Sequence, residues 1–131
     1  MTRGIRNHNP GNIRHGDKWQ GLRDTQTDKS FCQFVTPEYG IRAMLKILRN
    51  YELKYGDNTI YQFISRWAPP NENDTQGYIA YVCKAVGVAS NTVIDMENVA
   101  TMNLLVKAII KMENGQQPYS DEIFKQAFEL L

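Results

Sequence analysis

The chain has no apolar run near the 18 or so residues of a membrane span, and it has no low-complexity tract, internal repeat or long linker. Neither a membrane-spanning nor a wholly disordered protein is expected. Cysteine is scarce. Cys32 and Cys83 cannot build a disulfide scaffold, and neither has the spacing of a zinc site. The two histidines, His8 and His15, lie in a glycine-rich segment with no cysteine between them, so no metal and no cofactor is expected. Excess charge is also lacking. Fifteen Lys and Arg against fourteen Asp and Glu leave +1, with none of the global field of a non-specific nucleic-acid binder. The stretch from Met1 to Arg6 has no apolar core of a secretory signal, which makes cytoplasmic synthesis the expectation.

What is present is ample core material. With 131 residues, 42% of them hydrophobic, seven Tyr, five Phe and two Trp, the chain suits one globular domain spanning 1–131. Its first 35 residues contain Gly4, Gly11, Gly16, Gly21 and Pro10 and show no sustained helical period. Short alternating pieces between Trp19 and Phe34 predict a small β-hairpin lobe. Everything after it reads as helix. Thr36 and Pro37 start a helix whose stripe Ile41, Met44, Leu45, Leu48, Tyr51, Tyr55 runs to Gly56. Thr59 caps a second helix, closed at Pro69 and Pro70. Asp74 caps a third, with Tyr78, Tyr81, Val82 and Ala85 on one face up to Gly87. A fourth, from about Asp95 to Asn114, points Val99, Met102, Leu105, Val106, Ile109 and Met112 inward and stops at Gly115. Ser120 caps the last. The fold class expected is mostly α, an α+β arrangement with a glycine-rich or hairpin lobe at the N-terminal end.

Charge is segregated within this frame. Arg3, Arg6, Arg14, Lys18 and Arg23 against Asp17 make the first 23 positions basic, while residues 95–131 carry twice as many acids as bases. A basic lobe of this kind is either a solvated face or a surface that attracts an acidic polymer.

Three segments carry chemistry. Ala108-Ile109-Ile110-Lys111-Met112-Glu113-Asn114-Gly115 places a carboxylate in the last turn of an apolar helix, facing the negative end of the helix macrodipole. That placement opposes the charged form, as a general acid requires. Asn71 to Val82 puts Glu72 on a turn and Tyr78 on the following helix, where a phenol can hydrogen-bond a carboxyl or a sugar. Arg6-Asn7-His8-Asn9-Pro10-Gly11-Asn12-Ile13-Arg14, followed by Trp19-Gln20-Gly21, offers amides whose donors and acceptors suit sugar hydroxyls and acetamido groups.

These pieces resemble the lysozyme-like enzymes that cut the peptidoglycan glycan strand. The Glu113 stretch is similar to the catalytic helix end of lytic transglycosylases and flagellar-type glucosaminidases, with Asn114 where those enzymes have serine. The Tyr78 segment resembles their late tyrosine motif, and the Asn9–Asn12 run with Trp19 their asparagine segment and Trp-x-Gly hairpin. More closely, and over nearly the whole chain, it resembles small phage structural proteins of lysozyme-like type. The resemblance implies a lysozyme-like domain that is virion-associated or made in the host cytoplasm and acts at the cell wall. Its partners would be peptidoglycan glycan strands and other virion proteins, with no nucleic acid and no membrane. It implies catalytic roles for Glu113 and Tyr78, and substrate contacts by Asn9, Asn12, Trp19 and Glu72. The enzymes order these pieces as glutamate, lobe, tyrosine, whereas here the order is lobe, tyrosine, glutamate, and a circular permutation accounts for the change. Glu38 and Glu72 are rival acids, the former explained by its place in the first turn of a helix. The alternative to a glycan-cleaving enzyme is a non-enzymatic virion or glycan-binding protein on the same fold.

Overall fold

The computed structural model describes residues 1–131. Six helices supply nearly all of its regular structure: α1 (Arg3–Arg6), α2 (Pro37–Tyr55), α3 (Ile60–Trp67), α4 (Thr75–Val86), α5 (Val99–Asn114) and α6 (Asp121–Glu129). The chain is mostly helical. Helix starts follow side-chain chemistry. The Thr59 hydroxyl accepts from the Gln62 N–H at 3.3 Å, and the Asp74 carboxylate from the Gly77 N–H at 3.1 Å. Each satisfies a donor that the first helical turn leaves open. α5 starts at Val99 rather than near Asp95 because Asn98 is the residue that caps it, accepting from the Thr101 N–H at 3.0 Å. Asp95 instead accepts from the Glu97 N–H in the preceding turn.

The residues gather into two compact units, Met1–Lys46 with Ile110–Leu131, and Ile47–Ile109. Both chain ends belong to the first. Its apolar core includes Ile13, Cys32, Phe34, Ile41, Met44, Ile110 and Phe124.

The hairpin expected in this unit does not form. Residues 12–35 hold two isolated antiparallel bridges, Arg14 with Phe31 and Leu22 with Phe34. A few backbone bonds join the pieces, among them Cys32 N–H to the Ile13 carbonyl at 2.9 Å and Val35 N–H to the Gly21 carbonyl at 2.8 Å, and side-chain amides take up further backbone groups. Gln26 donates from Nε2 to the Gln33 carbonyl, which the Arg23 N–H also reaches at 2.9 Å, and accepts at Oε1 from the Gln33 N–H, both Gln26 bonds at 2.8 Å. Gln33 in turn accepts at Oε1 from the Thr27 N–H at 2.6 Å and donates from Nε2 to Asn7 Oδ1 at 3.1 Å.

Asp28 clamps the lobe to α1. Its carboxylate accepts from Arg3 Nε and Nη2 at 2.7 and 2.6 Å, from Asn7 Nδ2 at 2.9 Å, and from the Ser30 and Phe31 N–H groups at 2.9 and 3.0 Å. The Arg3 guanidinium first, then Asn7 and the two N–H groups, hold this carboxyl far below the usual carboxylate range. A depressed folded value gives stability that is complete above the ordinary Asp pKa and is lost as pH falls below it. Asp28→Asn is therefore expected to melt lower than the parent at neutral pH. The gap should narrow on going from pH 7 to pH 3, read by thermal denaturation at the two pH values. An unchanged gap would show that the carboxylate charge contributes nothing.

In the second unit α3 packs on α4. The core includes Ile60, Phe63, Ile64, Ile79, Val82, Leu105 and Val106. The buried face of α4 is Thr75, Tyr78, Ile79 and Val82, whereas Tyr81 and Ala85, expected on that face, are exposed. Val99 and Met112 of α5 are exposed as well. Arg66 explains why Tyr55 lies half in solvent. Its guanidinium binds the buried Asp57 carboxylate at 2.7 and 3.1 Å and lies 3.8 Å from the Tyr55 ring centroid, so that ring packs against a cation instead of the core.

Candidate functional site

The C-terminal turn of α5 meets the N-terminal segment through a set of asparagines. Asn114 is buried and fully engaged. It donates from Nδ2 to the carbonyls of Pro10 at 2.8 Å and Ile110 at 3.0 Å, and accepts at Oδ1 from the Thr2 hydroxyl at 2.8 Å. Gly4 makes this convergence possible. A Cβ there would stand 2.6 Å from Asn114 Oδ1, 2.8 Å from Asn12 Oδ1 and 2.9 Å from the Asn9 carbonyl oxygen. Lys111 closes the helix by donating to the Gly115 carbonyl at 2.8 Å, a cation at the negative end of the macrodipole.

Glu113 is half-buried beside this latch, and its Oε1 accepts from Asn12 Nδ2 at 3.2 Å. Asn12 holds that position with a left-handed backbone, φ 51°, a region in which asparagine is several-fold enriched among non-glycine residues. The Asn12 Oδ1 is buried with no hydrogen-bond partner in the protein. A carboxyl oriented by one face of an amide, whose other face has no internal partner, is an arrangement that can orient and hand over a proton beside a bound polar group.

The other residues singled out from sequence fall as follows. Asn9 is fully buried, and its amide is engaged by backbone. It donates to the Ile13 and Cys32 carbonyls at 2.9 Å each and accepts from the Ile13 N–H at 3.0 Å. Asn9 shapes the loop that carries Asn12. Trp19 is half-buried, and its indole N–H has no partner in the protein. Glu38 lies in the first turn of α2, where a carboxylate complements the macrodipole. Glu113, Asn9, Asn12 and Trp19 all belong to the first unit. Tyr78 and Glu72 belong to the second; Tyr78 is 4% exposed, and Glu72 is exposed on the turn after Pro70. Cys32 and Cys83 are free thiols, and burial pushes both upward from the ordinary thiol pKa.

Asn114 and Thr2 went unnoticed in the sequence as parts of this site. Asn114 reads there as a serine lost from a motif. Its three hydrogen bonds reach residues 2, 10 and 110, and no local pattern contains the first two of those distances.

No protein-family model matches the chain. Protein P5 of Pseudoalteromonas phage PM2 is 42% identical to it over 132 aligned positions, which cover 98% of this chain and 81% of P5.

Proposed function

We propose that this chain, which belongs to the family of Protein P5 of Pseudoalteromonas phage PM2, is a virion-associated protein that cleaves the peptidoglycan glycan strand with Glu113 as its acid and base. The observation that carries the reading is the Asn12–Glu113 hydrogen bond at 3.2 Å, made by a left-handed asparagine to the carboxyl at the end of an apolar helix. Residues held in sparsely populated backbone conformations cluster at working sites. The proposed permutation of a lysozyme-like domain draws support from the same place, since the helix end bonds directly to residues 2, 10 and 12.

In the reaction, the protonated Glu113 gives its proton to the glycosidic oxygen as the bond from that oxygen to the muramyl anomeric carbon breaks. The resulting carboxylate then takes the proton of the muramyl 6-hydroxyl while its oxygen attacks the anomeric carbon. The product is a 1,6-anhydro sugar, and the enzyme is returned to its starting state. Asn12 orients the carboxyl through both steps. Digestion of purified peptidoglycan followed by mass spectrometry of the soluble muropeptides tests this, with 1,6-anhydro ends as the expected product. Reducing ends gained with the mass of one water would instead mean hydrolysis. An undigested sacculus that still binds the protein would favour the non-enzymatic glycan-binding reading, to which the near-complete burial of Asn9 and Tyr78 lends weight.

A further inference from the structure

Phe31 lies under two arginines that are not electrostatically equivalent. The Arg3 guanidinium carbon is 4.6 Å from the Phe31 ring centroid and that of Arg14 is 5.0 Å. Arg3 is neutralised by its bidentate pairing with Asp28. Arg14 is exposed, and its guanidinium forms no ion pair or hydrogen bond within the protein. The cluster of Arg3, Asp28 and Arg14 thus carries one uncompensated positive charge. Stacking on a ring leaves the guanidinium edge, with its fork of donors, open to an approaching oxyanion.

The chain links this shelf to the Asn12–Glu113 pair in two places. Arg14 is two residues beyond Asn12, the donor to Glu113. Arg3 directly precedes Gly4, whose α-carbon abuts both Asn12 and Asn114. We infer that Arg14, stacked on Phe31, is a specificity-determining arm that binds a carboxylate of the stem peptide carried by the glycan strand, so that peptide-bearing strands are the preferred substrate. The inference rests on the reading of Glu113 as the cleaving group. One free guanidinium matches a single carboxylate, which it can grip through two parallel hydrogen bonds. A nucleic acid would require several phosphate contacts along a groove.

The test uses the full chain and soluble oligomers of alternating N-acetylglucosamine and N-acetylmuramic acid, either carrying stem peptides with free carboxylates or stripped of them. The parent is expected to show kcat/KM about tenfold higher on the peptide-bearing oligomers, the scale of one well-made charged contact. Arg14→Gln should bring that ratio to about one, and Arg14→Lys should leave it in between, since a point charge remains but the fork is lost. A thermal melt confirms that each variant is folded. A parent ratio of one, or an Arg14→Gln variant that keeps the parent ratio, overturns the inference. Should the parent cleave neither oligomer, the Glu113 reading fails by itself, and calorimetric binding of the same oligomers still decides the role of Arg14. A tenfold preference lost in Arg14→Gln sustains it, and equal affinities overturn it. Tighter binding of a short DNA duplex than of the peptide-bearing oligomer also overturns it.

Discussion

Glu113→Gln is expected to lose at least 10² to 10⁴ in turnover on purified peptidoglycan, roughly the contribution of a positioned general acid. Glutamine keeps the size of the side chain and the contact to Asn12 Nδ2, which donates to Oε1 in the parent. It cannot supply a proton to a leaving oxygen. Because the carboxylate faces the negative end of α5, its removal should leave the melting temperature equal or slightly higher. Glu38→Gln and Glu72→Gln serve as controls, one in the first turn of α2 and the other on an exposed turn of the second unit. Both should retain most of the parent rate. Full activity in Glu113→Gln, with activity lost in either control, would move the acid elsewhere.

Gly40→Ala carries the largest expected effect on stability. Gly40 lies in the second turn of α2 and is buried against the loop from His8 to Pro10. A Cβ there would fall inside the van der Waals shell of the His8 carbonyl oxygen, with the His8 carbonyl carbon at 3.0 Å and Pro10 Cδ at 3.1 Å. The obstacle is backbone rather than the flexible end of a side chain, so the loop or the helix must move. Overpacking of this sort costs about 3 kcal/mol or more. In a chain of this size that lowers the melting temperature by roughly 10 °C. Gly87→Ala separates crowding from conformation. Gly87 is left-handed, with φ 82°, but nothing lies within 4 Å of its Cβ position. Its cost should stay near about 1 to 2 kcal/mol. Since the loop under Gly40 carries Asn9 and Asn12, Gly40→Ala should also depress activity by more than its loss of folded protein explains. A Gly40→Ala melt no lower than that of Gly87→Ala would show that the loop yields at little cost.

The helices and most of their ends were legible residue by residue. An apolar stripe such as Ile41, Met44, Leu45 and Leu48 is a local consequence of the 3.6-residue turn, and all four side chains are buried. Thr59 and Asp74 cap because their oxygens reach an N–H three residues on, a distance set within the chain itself. Glu113 could be singled out for a similar reason, as its position at the end of an apolar helix is written in eight consecutive residues. Where local options were close in energy, reading failed. Asp95 and Asn98 can both cap a helix, and the choice between them falls outside the periodicity. The alternation around Trp19 and Phe31 reads as strand, yet only isolated bridges form, and the amides of Gln26 and Gln33 share the backbone groups there, which no period-two pattern anticipates.

The sequence by itself therefore determined the helical class, the order of the helices and the candidate acid, because each depends on spacings of three to seven residues. Tertiary structure alone decided which asparagine serves which purpose. Asn7, Asn9, Asn12 and Asn114 have the same side chain, and their differences arise from where the backbone places each amide. Asn9 is enclosed by the carbonyls of Ile13 and Cys32, Asn114 is tied to Thr2 and Pro10, and Asn12 is turned through a left-handed backbone toward Glu113. The last two contacts to Asn114 and the contact to Glu113 join residues more than a hundred positions apart. An amide donates and accepts with equal facility, so its own chemistry selects no partner. Only the closure of the first unit around Gly4, which lets two of these side chains and the Asn9 carbonyl approach one α-carbon, assigns the roles.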